Sequence, residues 1–417
     1  MSRFLLTLWD GGGNVPPVLS VAGALVRRGH DVRVLADPVL GEAVRAVGAE
    51  HRPWTTAPHR SERRLDTEIV RDFEARTPFG ATTRLRDRLI VGPAARFADD
   101  TLGELGREPA DVVALEALLL GCLVAAEAAG VRSAMLVPNI YPGDVPGSPP
   151  FGMGLRPRTD RLGRLRDRVV AAAGRRLWDA RLDDLNALRA RHGLRSVPTV
   201  FEMFDRPDRV LVLTSAAFEH GAGAHVPPHV RYCGPRLDDP LWAAPWTEPP
   251  GDDPLVLVSL STTFQDQGAT LRRVIDALGR LPVRGLVTTG PAINPEDCPT
   301  RSNVTVVRSA PHAAVLDRAS AAVTHAGHGT VIKSLAHGVP LVCLPMGRDQ
   351  PDTAARVVSA GAGLRLSASA RGKTIAAAVS TILNDPGYRS AAERLAATIA
   401  VDLQSDLAVQ ELEALCT

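Results

Sequence analysis

Twice along this chain an unbroken apolar run ends in a glycine-rich turn that opens directly into a helical pattern. Residues 3–36 read RFLLTLWDGGGNVPPVLSVAGALVRRGHDVRVLA, and residues 319–345 read ASAAVTHAGHGTVIKSLAHGVPLVCLP. Short continuous Val/Leu runs suit strands buried on both faces of a parallel sheet, with the Ala/Leu-rich stretches between them as crossover helices. The rhythm continues in the first half through PADVVALEALLLGCLVAAEAAGVRSAMLVPN, and in the second through LVLVSLSTTF, VRGLVTTG and NVTVVRSA. A chain of 417 residues is too long for one ordinary core. The pattern therefore predicts an α/β protein of two doubly wound, Rossmann-like domains facing across a cleft, with ligands beyond the carboxyl ends of the strands. A stretch rich in proline with two Asp-Asp pairs, GPRLDDPLWAAPWTEPPGDDP, is the natural linker. This sets a first domain at 1–233, a linker at 234–254 and a second domain at 255–395.

Composition removes several classes of function. A net charge of +2 gives no field suited to nucleic acid. Cys122, Cys233, Cys298, Cys343 and Cys416 are odd in number and never form a CxxC pair, which argues against a disulfide framework or a zinc site. No signal-peptide pattern opens the sequence and no stretch has the length of a membrane span, so a cytoplasmic protein without membrane association is expected. In RLGRLRDRVVAAAGRRLWDARLDDLNALRARHG, Leu162, Leu165, Val169 and Ala173 share one helical face opposite the arginines. Acids interrupt the basic face, which favours a helix packed on its own domain over one lying on a membrane.

The turn at 325–330, His-Ala-Gly-His-Gly-Thr, carries the clearest chemistry. Gly327 and Gly329 let backbone amides point outward at a helix start, where the dipole also favours an anion. Thr330 adds a hydroxyl and His325 an imidazole, a diphosphate cradle without a P-loop lysine. The order HAGxGT, then HGVP, then P…DQ, then AARV…GAG resembles the donor signature of family 1 glycosyltransferases. These are the UDP-glucuronosyltransferase-like enzymes, including those that decorate actinomycete antibiotics. The resemblance covers the second half nearly end to end and reaches the N-terminal GGGNVPPVLSVAGALVRRGHDV.

The resemblance implies the GT-B fold and transfer of a sugar from a TDP- or UDP-linked donor to a lipophilic natural product, with inversion of the anomeric centre. His325, Gly327, Gly329 and Thr330 would meet the diphosphate, with Thr262 and Thr263 nearby. Asp349 and Gln350 would bond the sugar hydroxyls, and Pro311 and His312 would line the base pocket. His328 stands at a position where the family tolerates many residues. No cofactor beyond the nucleotide-sugar co-substrate is implied. With no Asp-x-Asp triplet present, no metal is expected. The last segment, 396–417, would be helical and cross back to the first domain. Lys333 replaces a Glu that in the family often bonds ribose; it points to a deoxyribose donor, or is a solvated helix charge.

The second departure concerns catalysis. The family usually has His or Asp in the N-terminal loop as the base, and this chain has Asn14, an amide that cannot take a proton. Glu116 matches the acid that normally orients that His, and Asp10 lies at the mouth of the same strand as Asn14. Glu116 would be the base with Asn14 orienting the acceptor; otherwise the acceptor is itself acidic, or the bond goes to carbon or nitrogen. The irregular segments 55–92 and 139–158 would line the acceptor pocket, with Phe79, Tyr141, Phe151 and Met153 as apolar contacts. A catalytically silent homologue that binds nucleotide sugar or aglycone for a partner, and an epimerase of the same fold, are the competing readings. The partners expected are small molecules, on a monomer or homodimer.

Overall fold

The computed structural model describes residues 1–416 apart from 144, 146, 221–225 and 240–242; the last three fall within the expected linker. It contains two wholly parallel sheets. The first comprises β1 (Arg3–Leu8), β2 (Asp31–Ala36), β3 (Glu50–Pro53), β4 (Val112–Glu116), β5 (Arg132–Val137), β6 (Arg209–Val212) and β7 (Val230–Tyr232). Their order is β3-β2-β1-β4-β5-β6-β7. The second comprises β8 (Leu255–Ser259), β9 (Arg284–Thr288), β10 (Val304–Val307), β11 (Ala319–Thr324), β12 (Leu341–Cys343) and β13 (Gly363–Arg365), ordered β10-β9-β8-β11-β12-β13.

Both sheets are covered on both faces, which explains the unbroken apolar runs. Along β1, Leu5 joins one core with Val113, Met135 and Phe97, while Phe4 and Leu6 join another with Val18, Leu25 and Val34. The second core also takes in the helix Leu407–Ala414 through Ala408, Val409 and Leu412. That helix is fastened to the first half by Glu413, which accepts from Arg28 at 2.8 and 2.7 Å, and by Glu411 against Arg209 (2.7 Å) and Arg231 (3.1 Å).

The strand order reverses between β1 and β4 and again between β8 and β11, the places where doubly wound sheets open a crevice. Thr7 pairs with Leu115, so the ends of β1 and β4 deliver Trp9 and Glu116 side by side. Ser259 pairs with Thr324, so the Thr262–Thr263 loop and His325 emerge together.

One expectation needs correcting. In the helix Arg161–Asp179 the stripe read as its inner face is solvent-exposed: Leu162 by 68%, Leu165 by 57% and Val169 by 61%. The helix is turned so that Val170, Gly174, Leu177 and Trp178 face the cleft, where the Trp178 ring meets Phe201 edge-on at 6.2 Å. Asp179, which accepts from Thr199 Oγ1 and the Val200 amide at 2.8 Å, holds the same end of the helix. No helix among the described residues is long and apolar enough to cross a membrane.

Candidate active site

Between the sheets lies a cavity of about 2130 Å³ bounded by both switch points. Its lining includes Asp10, Asn14, Glu116, Thr262, Thr263, His312, His325, Gly327, Gly329, Thr330, Asp349 and Gln350, together with Phe79, Tyr141, Phe151 and Met153. Pro311 alone of the candidate residues stands outside the lining; it precedes the helix His312–Leu316 and leaves Ala310 and His312 facing the space.

On the first-half side, Glu116 is 3% exposed. Its Oε2 accepts from Trp9 Nε1 at 3.0 Å and from the Leu118 amide at 3.1 Å, while Oε1 takes no hydrogen bond among the described residues. Burial pushes its pKa up to about 7, against the pull of those two donors. Asn14 is occupied by its own loop: its Oδ1 accepts from the Gly11 amide at 3.1 Å and its Nδ2 donates to the Trp9 carbonyl at 3.0 Å. The amide thus clamps the turn that carries Trp9, an alternative to the expected role of orienting the acceptor. Asp10 is buried and committed elsewhere, its carboxylate accepting from Arg63 at 2.9 Å with Arg60 at 3.6 Å. These guanidiniums hold Asp10 against the charged segment of the first half, whereas Glu116 has no cationic partner among the described residues.

The glycine run has a local purpose. Gly12, at φ 78°, lies against the opposite half: a Cβ there would fall 2.5 Å from Thr262 Oγ1. Gly12 therefore admits the close approach of another loop of the same chain.

On the second-half side, the helix His328–Ala336 opens at Gly327. The His325 ring lies over Gly327, whose absent Cβ would sit 2.5 Å from Nε2. Ala326 between them takes a left-handed φ of 67°, a strained value for a residue with a side chain. Burial, and then the Arg348 charge, lower the His325 pKa to about 4, so the ring is neutral at pH 7. His312, hydrogen-bonded to Thr288 Oγ1 at 3.2 Å, is likewise lowered to about 4, by burial and then by Lys333. His328 serves structure, its Nε2 meeting Thr214 Oγ1 of the first half at 2.9 Å.

Asp349 keeps its carboxyl free of side-chain bonds to other described residues, and burial raises its pKa. Gln350 is different. Its Oε1 accepts from the Met346 and Gly347 amides at 2.8 and 3.2 Å, and its Nε2 donates to Gln265 Oε1 at 2.8 Å. It shapes the loop that presents Asp349. Lys333 is not a solvated charge: it is buried, donating at 2.6 Å to Asp239 Oδ1 and at 2.7 Å to the Asp238 carbonyl.

Sequence reading missed Trp9, Gln265, Asp239 and the pair Arg348–Asp72, in which Arg348 donates through Nε and Nη2 at 2.7 and 2.8 Å across the cleft. The visible signals were the charges in segment 55–92 and the Arg of GRDQ.

The fold is matched by solved structures over its whole length. The calicheamicin glycosyltransferase CalG4 superposes with a TM-score of 0.77 at 23% identity, covering 99% of this chain and 98% of that one. VinC, solved in complex with dTDP, gives 0.66 at 21%, covering 99% of each. These are GT-B glycosyltransferases, and the two sheets here have that architecture. Residues 272–415 match the profile of the erythromycin biosynthesis protein CIII-like C-terminal domain. The chain is 33% identical over 411 residues to 4'-demethylrebeccamycin synthase of Lentzea aerocolonigenes, covering 94% of both proteins. It is 27% identical over 410 residues to the oleandomycin glycosyltransferase of Streptomyces antibioticus, covering 96% of this chain and 88% of that one. On this identity and coverage, the chain belongs to the family 1 glycosyltransferases of the actinomycete antibiotic type.

Proposed function

We propose that the protein moves a sugar from a TDP- or UDP-linked donor to a lipophilic natural-product aglycone, inverting the anomeric carbon and using no metal. The observation that carries this reading is a buried carboxyl, Glu116, lining one cavity with the glycine turn at 325–330; both its donors fall on Oε2, and burial pushes its pKa up to about 7. A base is most effective with its pKa near the working pH. Glu116 Oε1 takes the proton from the acceptor, the acceptor atom bonds to the anomeric carbon, and the bond to the diphosphate oxygen breaks with its electron pair. Attack from the face opposite the leaving group inverts the centre. The amides at the helix start and the Thr330 hydroxyl meet the charge that develops on the diphosphate.

Phe79 and Met153 are exposed to the cleft and Tyr141 is buried beside it, an apolar lining suited to a flat or macrocyclic aglycone. The relatives named for rebeccamycin and oleandomycin products support an acceptor of that class. Asn14 has a structural task in the turn that carries Trp9, and the buried Glu116 held by that tryptophan supports a working enzyme over a silent homologue. The test is to incubate the protein with TDP- and UDP-sugars and a panel of antibiotic aglycones, resolving products by mass and anomeric NMR coupling. A glycoside of inverted configuration supports the reading; an isomerised sugar nucleotide, or no product with any donor that binds, opposes it.

A further inference from the structure

We propose that Arg348 is the cation that receives the donor diphosphate, and that Asp72 of the opposite half occupies it until the donor arrives. This rests on the donor reading above and names a residue that reading does not contain.

A nucleoside diphosphate brings about two to three negative charges, more than the partial charges of the amides and hydroxyls at the turn can balance. Of the cationic side chains lining the cavity, Arg348 is the one bonded to the loop beside the turn, donating from Nη1 to Thr263 Oγ1 at 3.3 Å. It stands directly before Asp349, in a left-handed conformation at φ 57° that aims it into the cleft. Among the other cations of the lining, Lys333 is engaged with Asp239, Arg60 and Arg63 with Asp10, Arg236 with Asp406, Arg308 with Asn294 and Arg365 with the Gly154 carbonyl, while Arg27, Arg76 and Arg175 belong to the first half.

Its partner is poorly explained as a brace. Asp72 comes from the irregular charged segment of the first half, and both groups are nearly buried. Glu68 lies within reach of the same charge, and Arg60 ties Glu68 (3.3 Å) to Asp10 (3.6 Å). An anion entering beside Thr263 meets a guanidinium whose fork already holds a carboxylate. Two anions on one guanidinium repel, so diphosphate and Asp72 compete. Residues around Asp72 also line the cavity, Phe73 and Ala75 among them, so donor entry loosens the wall against which the acceptor rests.

Competition gives the two partners of one ion pair opposite effects, which a structural bridge does not. Calorimetric titration with TDP or UDP, whichever the wild type takes, is run beside the matching nucleoside without phosphate. Asp72→Asn is expected to bind the diphosphate roughly tenfold more tightly and Arg348→Gln at least tenfold more weakly, with nucleoside affinity unchanged in both. Equal or weaker diphosphate binding by Asp72→Asn overturns the proposal. If Asp72→Asn does not fold, Arg348→Gln decides alone: equal losses for nucleoside and diphosphate overturn it. A wild type that binds neither nucleotide refutes the donor reading itself, an outcome distinct from a wild type that binds while Asp72→Asn shows no gain.

Discussion

Replacing Glu116 by Gln separates its charge from its shape. Both donors, Trp9 Nε1 and the Leu118 amide, converge on Oε2, so a Gln with its carbonyl oxygen in that place keeps both bonds. Only Oε1 changes, from a proton acceptor to an NH₂. The variant is expected to lose a factor of roughly 10² to 10⁴ in kcat, the usual worth of a positioned base, with donor affinity intact. Stability moves the other way. Burial raises the Glu116 pKa to about 7 from an ordinary 4.5, so ionisation is costlier in the folded state. That penalty is absent below the unfolded pKa, grows as pH rises through the folded value, and reaches about 3 kcal/mol above it. Glu116→Gln removes it, so the variant matches the wild type near pH 4.5 and gains on it towards pH 8. Wild-type kcat/KM should climb about tenfold per pH unit below 7 and level off above. Urea unfolding at several pH values and initial rates from pH 5.5 to 8.5 check both halves. A variant retaining a third or more of the activity, or a flat pH–rate profile, refutes the assignment of Glu116 as base.

Asn14→Ala removes the bonds to the Gly11 amide and the Trp9 carbonyl and should cost about 1 to 2 kcal/mol by thermal unfolding, with a smaller loss of kcat than Glu116→Gln. A loss as large as that of Glu116→Gln would give Asn14 a part in the chemistry. Truncation after Ala397 strips Val409 and Leu412 from the first-half core, each worth about 1.5 to 3 kcal/mol, and should lower the melting temperature by several degrees; unchanged melting contradicts the packing described. A diphosphate beside His325, whose pKa of about 4 leaves it neutral, should raise that value and draw in a proton at pH 7.5. Binding heats would then vary with the ionisation enthalpy of the buffer, and the variation would vanish in His325→Ala.

The architecture was legible because parallel strands buried on both faces must be largely apolar, and the middles of β1, β4 and β8 are, with polar residues at their ends. The helix start at 325–330 was legible for a related reason: a glycine-rich turn between an apolar run and a helical pattern marks the place where a strand hands over to a helix, and Gly327 stands there. What stayed hidden depends on contacts far apart in sequence. Nothing near Glu116 in the chain shows that a tryptophan 107 positions away would hold it. The Arg348–Asp72 pair spans 276 positions, and only the folded cleft brings its members together. The outward turn of Leu162, Leu165 and Val169 was hidden for the same reason, since Trp178 and Asp179 meet Phe201, Thr199 and Val200 about twenty positions on.

The central claim is that the turn at 325–330 binds a nucleoside diphosphate. Calorimetric titration of the purified protein with TDP and with UDP, beside His325→Ala, tests it most directly. One of the two is expected to bind, and the substitution to weaken it by roughly tenfold or more. Binding of neither, or binding that His325→Ala leaves unchanged, would contradict it.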